Sequence, residues 1–350
     1  MIARFVWVRF ISIFALFGIY VPASAQFDNI TPILSDERDY AEYWEQQFYF
    51  ETGALLTSQF LITNLPISKH HGLMIASLKL PDQPAVIIKN GRGREGWNID
   101  SGNKKLSIFQ HELEGRYPGY MLQLSNTAAE VDTLYNARLE PIELVAEDNE
   151  LNLPHITLYA PWARSFARWR PGPEVGGQGP DGEWLPLGYG TGYGIHVVQN
   201  SPLARTLRRW VRVTPIQSEG AYAPIIHHFE TPSGPTRTET ILVPRFGKPI
   251  KLGGVVINSY EAQILTLEGD GISGAVTVDK DIEAFLIADQ LNGIEKLVAG
   301  SLADIERYRR LVSYSLEVQV DGITHLISGT ALLEEILIGK ERVNRRRIRR

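Results

Sequence analysis

Short runs of apolar residues, separated by turn-forming residues, dominate the chain, and long helical periodicity is nearly absent. β-Branched and aromatic residues recur in runs of about five to eight that are bounded by Gly, Pro, Asn and Asp. The clearest pair of runs covers residues 47–51 and 55–64, which are joined by Thr52 and Gly53. Regularly spaced runs of this kind are typical of antiparallel barrels and sandwiches. The pattern therefore predicts an all-β protein.

Two segments depart from this pattern. Residues 161–187 are rich in Pro, Gly, Trp and Arg, which predicts a long loop with a functional or connecting role. From Ile282 to Tyr308, apolar residues recur among charged ones at roughly helical spacing. This spacing predicts one or two short helices in the C-terminal half.

The N-terminus has the three parts of a secretory signal. Arg4 and Arg9 precede an apolar run, and small residues that end at Ala25 form an A-x-A-type cleavage site. The apolar run is too short for a membrane-spanning helix, which needs roughly 20 residues. We therefore predict a signal peptide over residues 1–25 and export to the periplasm or the medium.

Composition limits the chemistry and the number of domains. The chain has 350 residues and no cysteine, which excludes disulfides, thiolate metal sites and a cysteine nucleophile. Its length predicts two domains, which we place at residues 26–205 and 206–340. The net charge of -5 argues against nucleic acid as a partner. The Arg-rich residues 341–350 are expected to form a solvated tail, or alternatively to make weak contact with anionic phospholipid.

The histidine pairs and the glycine-rich runs do not predict a metal or a cofactor. His70 and His71, like His227 and His228, are adjacent in strands and therefore point to opposite faces. No HExxH or Gly-x-Ser-x-Gly motif occurs, and the glycine-rich runs lack the strand-to-helix setting of a phosphate loop. We expect no metal site and no cofactor.

The strongest candidate site is the run from Gly190 to His196, with Trp184 before it and Trp210 after it. Glycines allow close backbone approach, while Tyr193 and the tryptophans supply apolar walls with polar tips, as a pocket for an apolar ligand needs. His196 is a candidate general acid or base. The alternative is a packed barrel corner with internal hydrogen bonds.

A second candidate pair lies near the first predicted strand. Tyr49 is a candidate ligand contact, and Glu51 is a candidate catalytic carboxylate whose pKa apolar surroundings would raise. The alternative for Glu51 is a solvated position at a strand edge. We expect Tyr49, Trp184, Tyr193 and Trp210 to bind ligand, and His196 and Glu51 to perform any chemistry.

Three stretches resemble the tandem lipocalin-like (calycin) proteins related to carotenoid 1,2-hydratase, also called hydroxyneurosporene synthase, and to AttH. They are the aromatic strand of residues 43–50, the Gly-Tyr-x-x-His motif of residues 192–196 with Trp210 downstream, and the closing strands of residues 314–320 and 329–335. The resemblance implies two antiparallel lipocalin-like β-barrels in tandem that hold an apolar ligand. The family usually has an acidic residue directly before the histidine, and Ile195 occupies that position here. Glu51 and Glu183 are candidate replacements for the acid.

Three hypotheses of function follow. The first is an exported protein that binds a hydrophobic small molecule, a lipid or an isoprenoid, in a lipocalin-like pocket. The second is a cofactor-free hydratase or isomerase that acts on an isoprenoid-like substrate with His196 as its acid or base. The third is an envelope assembly protein that contacts partners through its long loop and its basic tail.

Overall fold

The computed structural model of the protein describes residues 30–65, 68–92, 96–147, 149–261, 264–286, 289 and 305–339. In this part of the chain, strands form two curled antiparallel sheets that follow one another in sequence. The predicted all-β class with two lipocalin-like barrels in tandem is confirmed. The predicted signal peptide and basic tail lie outside the described residues. Among the described helices, none has the length and apolar character needed to span a membrane.

The N-terminal sheet has twelve strands in the order β4-β3-β2-β1-β12-β11-β9-β8-β7-β6-β5, with β10 paired to β11. The bounds are β1 Ala41–Phe50, β2 Leu55–Leu65, β3 Ser68–Lys79, β4 Val86–Arg92, β5 Trp97–Asp100, β6 Lys105–Ile108, β7 His111–Arg116, β8 Gly119–Ser125, β9 Ala129–Asn136, β10 Ile142–Val145, β11 His155–Pro171 and β12 Leu185–Gln199. The first and last strands pair with each other, so Trp44 lies opposite His196.

The C-terminal sheet has nine strands in the order β16-β15-β14-β13-β21-β20-β19-β18-β17. The bounds are β13 Arg209–Glu219, β14 Tyr222–Glu230, β15 Thr236–Pro244, β16 Ile250–Leu252, β17 Val256–Glu261, β18 Ile264–Gly269, β19 Ile272–Leu286, β20 Ile305–Val320 and β21 Ile323–Ile338. Again the first strand pairs with the last, and Arg212 lies opposite Glu334. A short helix, α1 (Leu203–Thr206), connects the sheets, and the predicted domain boundary falls within it.

The predicted loop at residues 161–187 is wrong at both ends, because residues 161–171 belong to β11 and residues 185–187 to β12. Strand β11 continues to Pro171, and the connection to β12 contains only two 3₁₀ turns, Pro173–Val175 and Gly179–Asp181. The alternation in β11 was hidden because its buried positions carry small residues such as Ala163 and Ala167. Its exposed positions carry a large apolar residue, Phe166.

The predicted helical segment is wrong at both of its ends, while residue 289, described between them, is helical. Residues 282–286 belong to β19, and residues 305–308 belong to β20. A register shift between Asp281 and Glu283 breaks the alternation of β19, which made its apolar residues appear at helical spacing. Residues 287–304, apart from residue 289, lie outside the described part of the chain.

Among the described residues, buried side chains of the strands form three apolar cores. One is enclosed by the N-terminal sheet and contains Trp44, Phe48 and Tyr159. Another is enclosed by the C-terminal sheet. The third, which we call the inter-sheet core, packs residues such as Tyr193 from one sheet against residues such as Trp210 from the other. Strand β1 is therefore buried on both of its faces, one towards its own barrel and one towards the inter-sheet core.

Candidate functional site

The predicted cluster of residues 190–196 is divided between the two faces of β12. Side chains alternate along a strand, so residues 190, 192, 194 and 196 share one face, and residues 193, 195 and 197 share the other. Tyr193 lies in the inter-sheet core, where Trp210 also lies. His196 faces the opposite way, towards the interior of the N-terminal sheet, where it stacks on Trp44. Tyr193 and His196 therefore do not line one pocket.

The glycines of β12 make room for aromatic rings of the protein itself. A Cβ on Gly194 would lie 2.4 Å from Cζ of Tyr159, and a Cβ on Gly190 would lie 2.6 Å from Cδ1 of Phe50. The ring of Tyr159 is fully buried, and its hydroxyl accepts a hydrogen bond of 2.7 Å from Nε2 of Gln46. This end of the barrel interior is filled by side chains.

His196 is paired with a carboxylate that sequence reasoning missed. Oε1 of Glu42 lies 2.7 Å from Nε2 of His196. The imidazole stacks on the indole of Trp44, with ring centroids 4.7 Å apart and planes at 8°. Glu42 is fully buried, whereas the side chain of His196 keeps 9% of its surface exposed. The pair therefore presents a part of the imidazole towards solvent and keeps the carboxylate inside.

Three donors fix the carboxylate of Glu42. The backbone N–H of Ile33 donates to it at 2.9 Å, and the hydroxyl of Tyr40 donates to it as well. Burial, and then the charge of Glu42, raise the pKa of the Tyr40 phenol, so this hydroxyl stays protonated and donates. A carboxylate accepts hydrogen bonds only, so Nε2 of His196 donates the third.

The other ring nitrogen of His196 is available for chemistry. Among the described residues, none hydrogen-bonds to Nδ1 of His196. In a neutral imidazole that donates through Nε2, Nδ1 carries the lone pair. A buried carboxylate behind an imidazole holds its tautomer and stabilises the imidazolium that forms when the ring accepts a proton. Such an arrangement is suited to general-base chemistry, with the carboxylate fixing the orientation of the imidazole.

The remaining predicted site residues lie elsewhere. Glu51 is exposed in the turn after β1, nine positions beyond Glu42 and so about 30 Å along the strand direction. Glu183 is exposed, and Tyr49 is half-buried near the end of β1. Trp184 stacks under the guanidinium group of Arg168, 4.4 Å from its ring centroid. The structure therefore does not bring Glu51 beside His196.

A buried cluster of charges occupies the contact between the sheets and was also missed. Glu45 of β1 accepts from Arg212 at 2.6 Å and from Arg307 at 2.7 Å. Glu334 accepts from Arg212 and, at 2.9 Å, from Arg309. The signal in the sequence was a charged residue in the middle of each apolar strand, because such residues are rarely buried without a partner.

The cluster joins the two halves of the chain electrostatically. Burial opposes ionisation of the Glu334 carboxyl, but the guanidinium groups of Arg212, Arg309 and Arg307 outweigh it and lower the pKa of Glu334 to about 2. Nε and Nη1 of Arg212 and Nε of Arg307 have no hydrogen-bond partner among the described residues. A cavity of about 10 Å³ borders Arg307 and Arg309, which is room for about one water. The charged cluster is thus a polar part of the inter-sheet contact beside the apolar inter-sheet core.

The lowered pKa of Glu334 predicts loss of stability in acid. Its folded-state pKa of about 2 lies below the ordinary value of 4.5, so this contribution is present above pH 4.5 and is lost as the pH falls towards 2. We expect a loss of up to about 3 kcal/mol in the free energy of unfolding from this group. Urea unfolding of the protein and of Glu334→Gln at pH 5 and pH 3 checks this. An equal pH dependence in both proteins would contradict it.

Comparisons with solved structures place this fold beside known proteins. The structure of CghA with Sch210972 aligns with a TM-score of 0.56 at 8% identity, over 86% of this chain and 89% of the other. A putative AttH from Nitrosomonas europaea aligns with a TM-score of 0.54 at 11% identity, over 86% and 92% of the two chains. Kievitone hydratase from Nectria haematococca aligns with a TM-score of 0.54 at 10% identity, over 91% and 94%.

These similarities confirm, at the level of the fold, the resemblance to tandem lipocalin-like proteins of the carotenoid hydratase and AttH type. No family model and no curated protein matches the chain by sequence.

Proposed function

We propose that the protein is an acid–base enzyme that adds water to an apolar small molecule, removes water from it, or moves a double bond within it. The proposal rests on one observation, which is the contact of 2.7 Å between the buried carboxylate of Glu42 and Nε2 of His196. Binding of an apolar molecule, our first hypothesis from the sequence, is a step of this function. The filled interior around Tyr159 speaks against simple storage of a large ligand.

The chemistry of the pair limits the substrate. Imidazole is too weak an acid to protonate an isolated alkene and too weak a base to deprotonate an unactivated carbon. The substrate therefore needs a carbonyl group conjugated with, or next to, the reacting carbons. In dehydration, Nδ1 of His196 takes the proton from the carbon beside the carbonyl, the C–O bond at the next carbon breaks, and the leaving hydroxide receives the proton as water. Hydration is the reverse.

One of the similar solved structures supports this reaction class. It is a hydratase by name, and it aligns over 91% of this chain. Its identity of 10% leaves the site residues of this chain to be tested on their own.

Deuterium exchange into a conjugated apolar ketone tests the proposal. We expect the protein to catalyse exchange into β-ionone in D₂O, followed by mass spectrometry, and His196→Ala to lower the rate by about 10²-fold or more. His155→Ala is a matched control, because His155 pairs with Glu143 at 3.1 Å in an exposed His–Glu pair of the same sheet. The control should keep the full rate.

Two outcomes would contradict the proposal. Equal exchange by His196→Ala and the unmodified protein would remove His196 from the reaction. No exchange by any variant, together with a stoichiometric apolar compound in organic extracts of the purified protein, would favour the binding function without catalysis.

Export is a further part of the proposal. The charged, apolar and small-residue segments that end at Ala25 support it, and the absence of cysteine is compatible with it. We expect protein recovered from the native envelope or medium to begin at Gln26, as N-terminal mass analysis would show. A mature chain that retains residues 1–25 would contradict it.

A further inference from the structure

A segment without sheet pairing crosses the barrel end that holds Glu42 and His196. It covers residues 30–39, which we call the strap, and it directly precedes β1. Ile30 is 1% exposed and belongs to the core of the N-terminal sheet, against which Leu34 also packs. The strap thus contributes apolar side chains to the interior although it belongs to neither sheet.

The backbone of the strap occupies the hydrogen-bonding position on Glu42. The N–H of Ile33 lies 2.9 Å from Oε2 and 3.2 Å from Oε1 of Glu42. The side chain of Ile33 does not take part, since it is 61% exposed. The backbone N–H of Ile33 therefore occupies a position from which a polar group of a bound molecule could donate to the carboxylate of Glu42.

Side chains of β2 and β3 hold the strap, in addition to the contacts that Ile33 and Leu34 make with Glu42 and Tyr40. The side-chain amide of Asn64 donates to the carbonyl groups of Ser35 and Glu37, and Asp36 pairs with Lys69 at 3.0 Å. These are side-chain contacts, so the strap can leave without breaking a strand ladder. Leu34 has φ +58°, a left-handed conformation that disfavours a residue with a branched side chain, and release of the strap would relieve it.

We propose that the strap occupies the binding place of the substrate, and that the site accepts an apolar molecule with a hydroxyl group. The apolar body takes the volume of Ile30, and the hydroxyl donates to Glu42 in place of the Ile33 N–H. The role of this molecule as a substrate rests on the acid–base function proposed above, but its binding does not. In the closed state shown here, the strap and the ligand compete for one place.

Loosening the strap should therefore increase affinity. We expect Ile30→Ala to bind 1-naphthol about tenfold or more tightly than the unmodified protein, because a larger fraction of molecules is open. Ile33→Ala is the matched control: it is the same substitution on the same strap, at an exposed side chain, and it keeps the backbone N–H. Quenching of tryptophan fluorescence measures both.

The hydroxyl requirement is tested with naphthalene, which has the same ring system without the donor. In Ile30→Ala we expect naphthalene to bind about tenfold more weakly than 1-naphthol, since it leaves the buried carboxylate with one donor fewer. Ile30→Ala/Glu42→Gln should lose this preference. Hydrogen exchange should show faster exchange at residues 33 and 34 with β1 and β2 still protected, which separates release of the strap from unfolding.

The proposal would be overturned if Ile30→Ala bound 1-naphthol with unchanged affinity although the amide hydrogens of its strap exchanged faster. It would also be overturned if Ile33→Ala gained as much affinity for 1-naphthol as Ile30→Ala. Equal binding of the two probes would overturn the role of the hydroxyl. Because binding is measured without turnover, these results are independent of His196. If the variants bind as expected but no deuterium exchange occurs, the proposed enzyme activity is refuted and the proposal for the strap stands. If exchange occurs but binding does not depend on the strap, the proposal for the strap is refuted and the enzyme activity stands.

Discussion

Replacing Arg212 by methionine is expected to lower the free energy of unfolding by about 3–5 kcal/mol. Arg212 is 1% exposed and donates to both Glu45 and Glu334, so the substitution leaves two buried carboxylates with less compensating charge. Its guanidinium group also stacks on Trp210, 4.7 Å from the ring centroid. Methionine keeps much of the apolar volume, so the loss measured by urea unfolding will report mainly on charge.

The control for this prediction is Arg168→Met. Arg168 pairs with Asp132 at 2.8 Å, but 51% of its side chain is exposed, so its removal should cost less than about 1 kcal/mol. If Arg212→Met were as mild as the control, water would have to reach the cluster, and the inter-sheet contact would be more open than it is here. If Arg212→Met/Glu45→Gln/Glu334→Gln regained the lost stability, the cluster would serve specificity of the contact rather than stability.

Much of the fold followed from local patterns. Strand β8 alternates clearly between buried and partly buried positions, whereas β1 and β2 are runs rich in apolar and aromatic residues that are joined by a short turn. Both signals indicate strands, so the all-β class could be predicted. Strand β11 was partly missed because its buried alanines gave no apolar signal. The error in β19 arose from a register shift, which depends on pairing with β20 and cannot be seen in one strand alone.

The candidate site was only half predictable. His196 stood out because of its glycine-rich surroundings, but Glu42 precedes it by 154 positions, and only the pairing of β1 with β12 brings them together. Part of the error was avoidable. Tyr193 and His196 are three positions apart, so in a strand they must point to opposite faces.

The surroundings of the glycines in β12 explain why the sequence suggested a ligand pocket there. Glycine in a strand indicates close approach by something, and sequence cannot say whether a ligand or the protein approaches. Here the approaching groups are Phe50 of the distant strand β1 and Tyr159 of the preceding strand β11, and both belong to the protein itself. The same ambiguity applies to Glu45, because a charged residue in a buried strand predicts a partner but not which one.

Gly192→Ala is the second substitution with a large expected effect. A Cβ at residue 192 would lie 1.8 Å from the backbone oxygen of Gln47 and 2.6 Å from Cδ1 of Phe48. A side chain can move away from such a contact, but the Gln47 oxygen belongs to β1, which is paired with β12 along its length. We expect a loss of more than about 3 kcal/mol, at or above the upper end of ordinary overpacking.

The matched control is Gly253→Ala, since a Cβ there meets no atom within 4 Å. It should leave the free energy of unfolding within about 1 kcal/mol of the unmodified protein. A loss at Gly192 below that limit would mean that β1 and β12 separate easily, and a barrel that opens there could admit a ligand without release of the strap. A large loss would mean that β1 and β12 stay closely paired here, which would support entry to Glu42 and His196 by release of the strap.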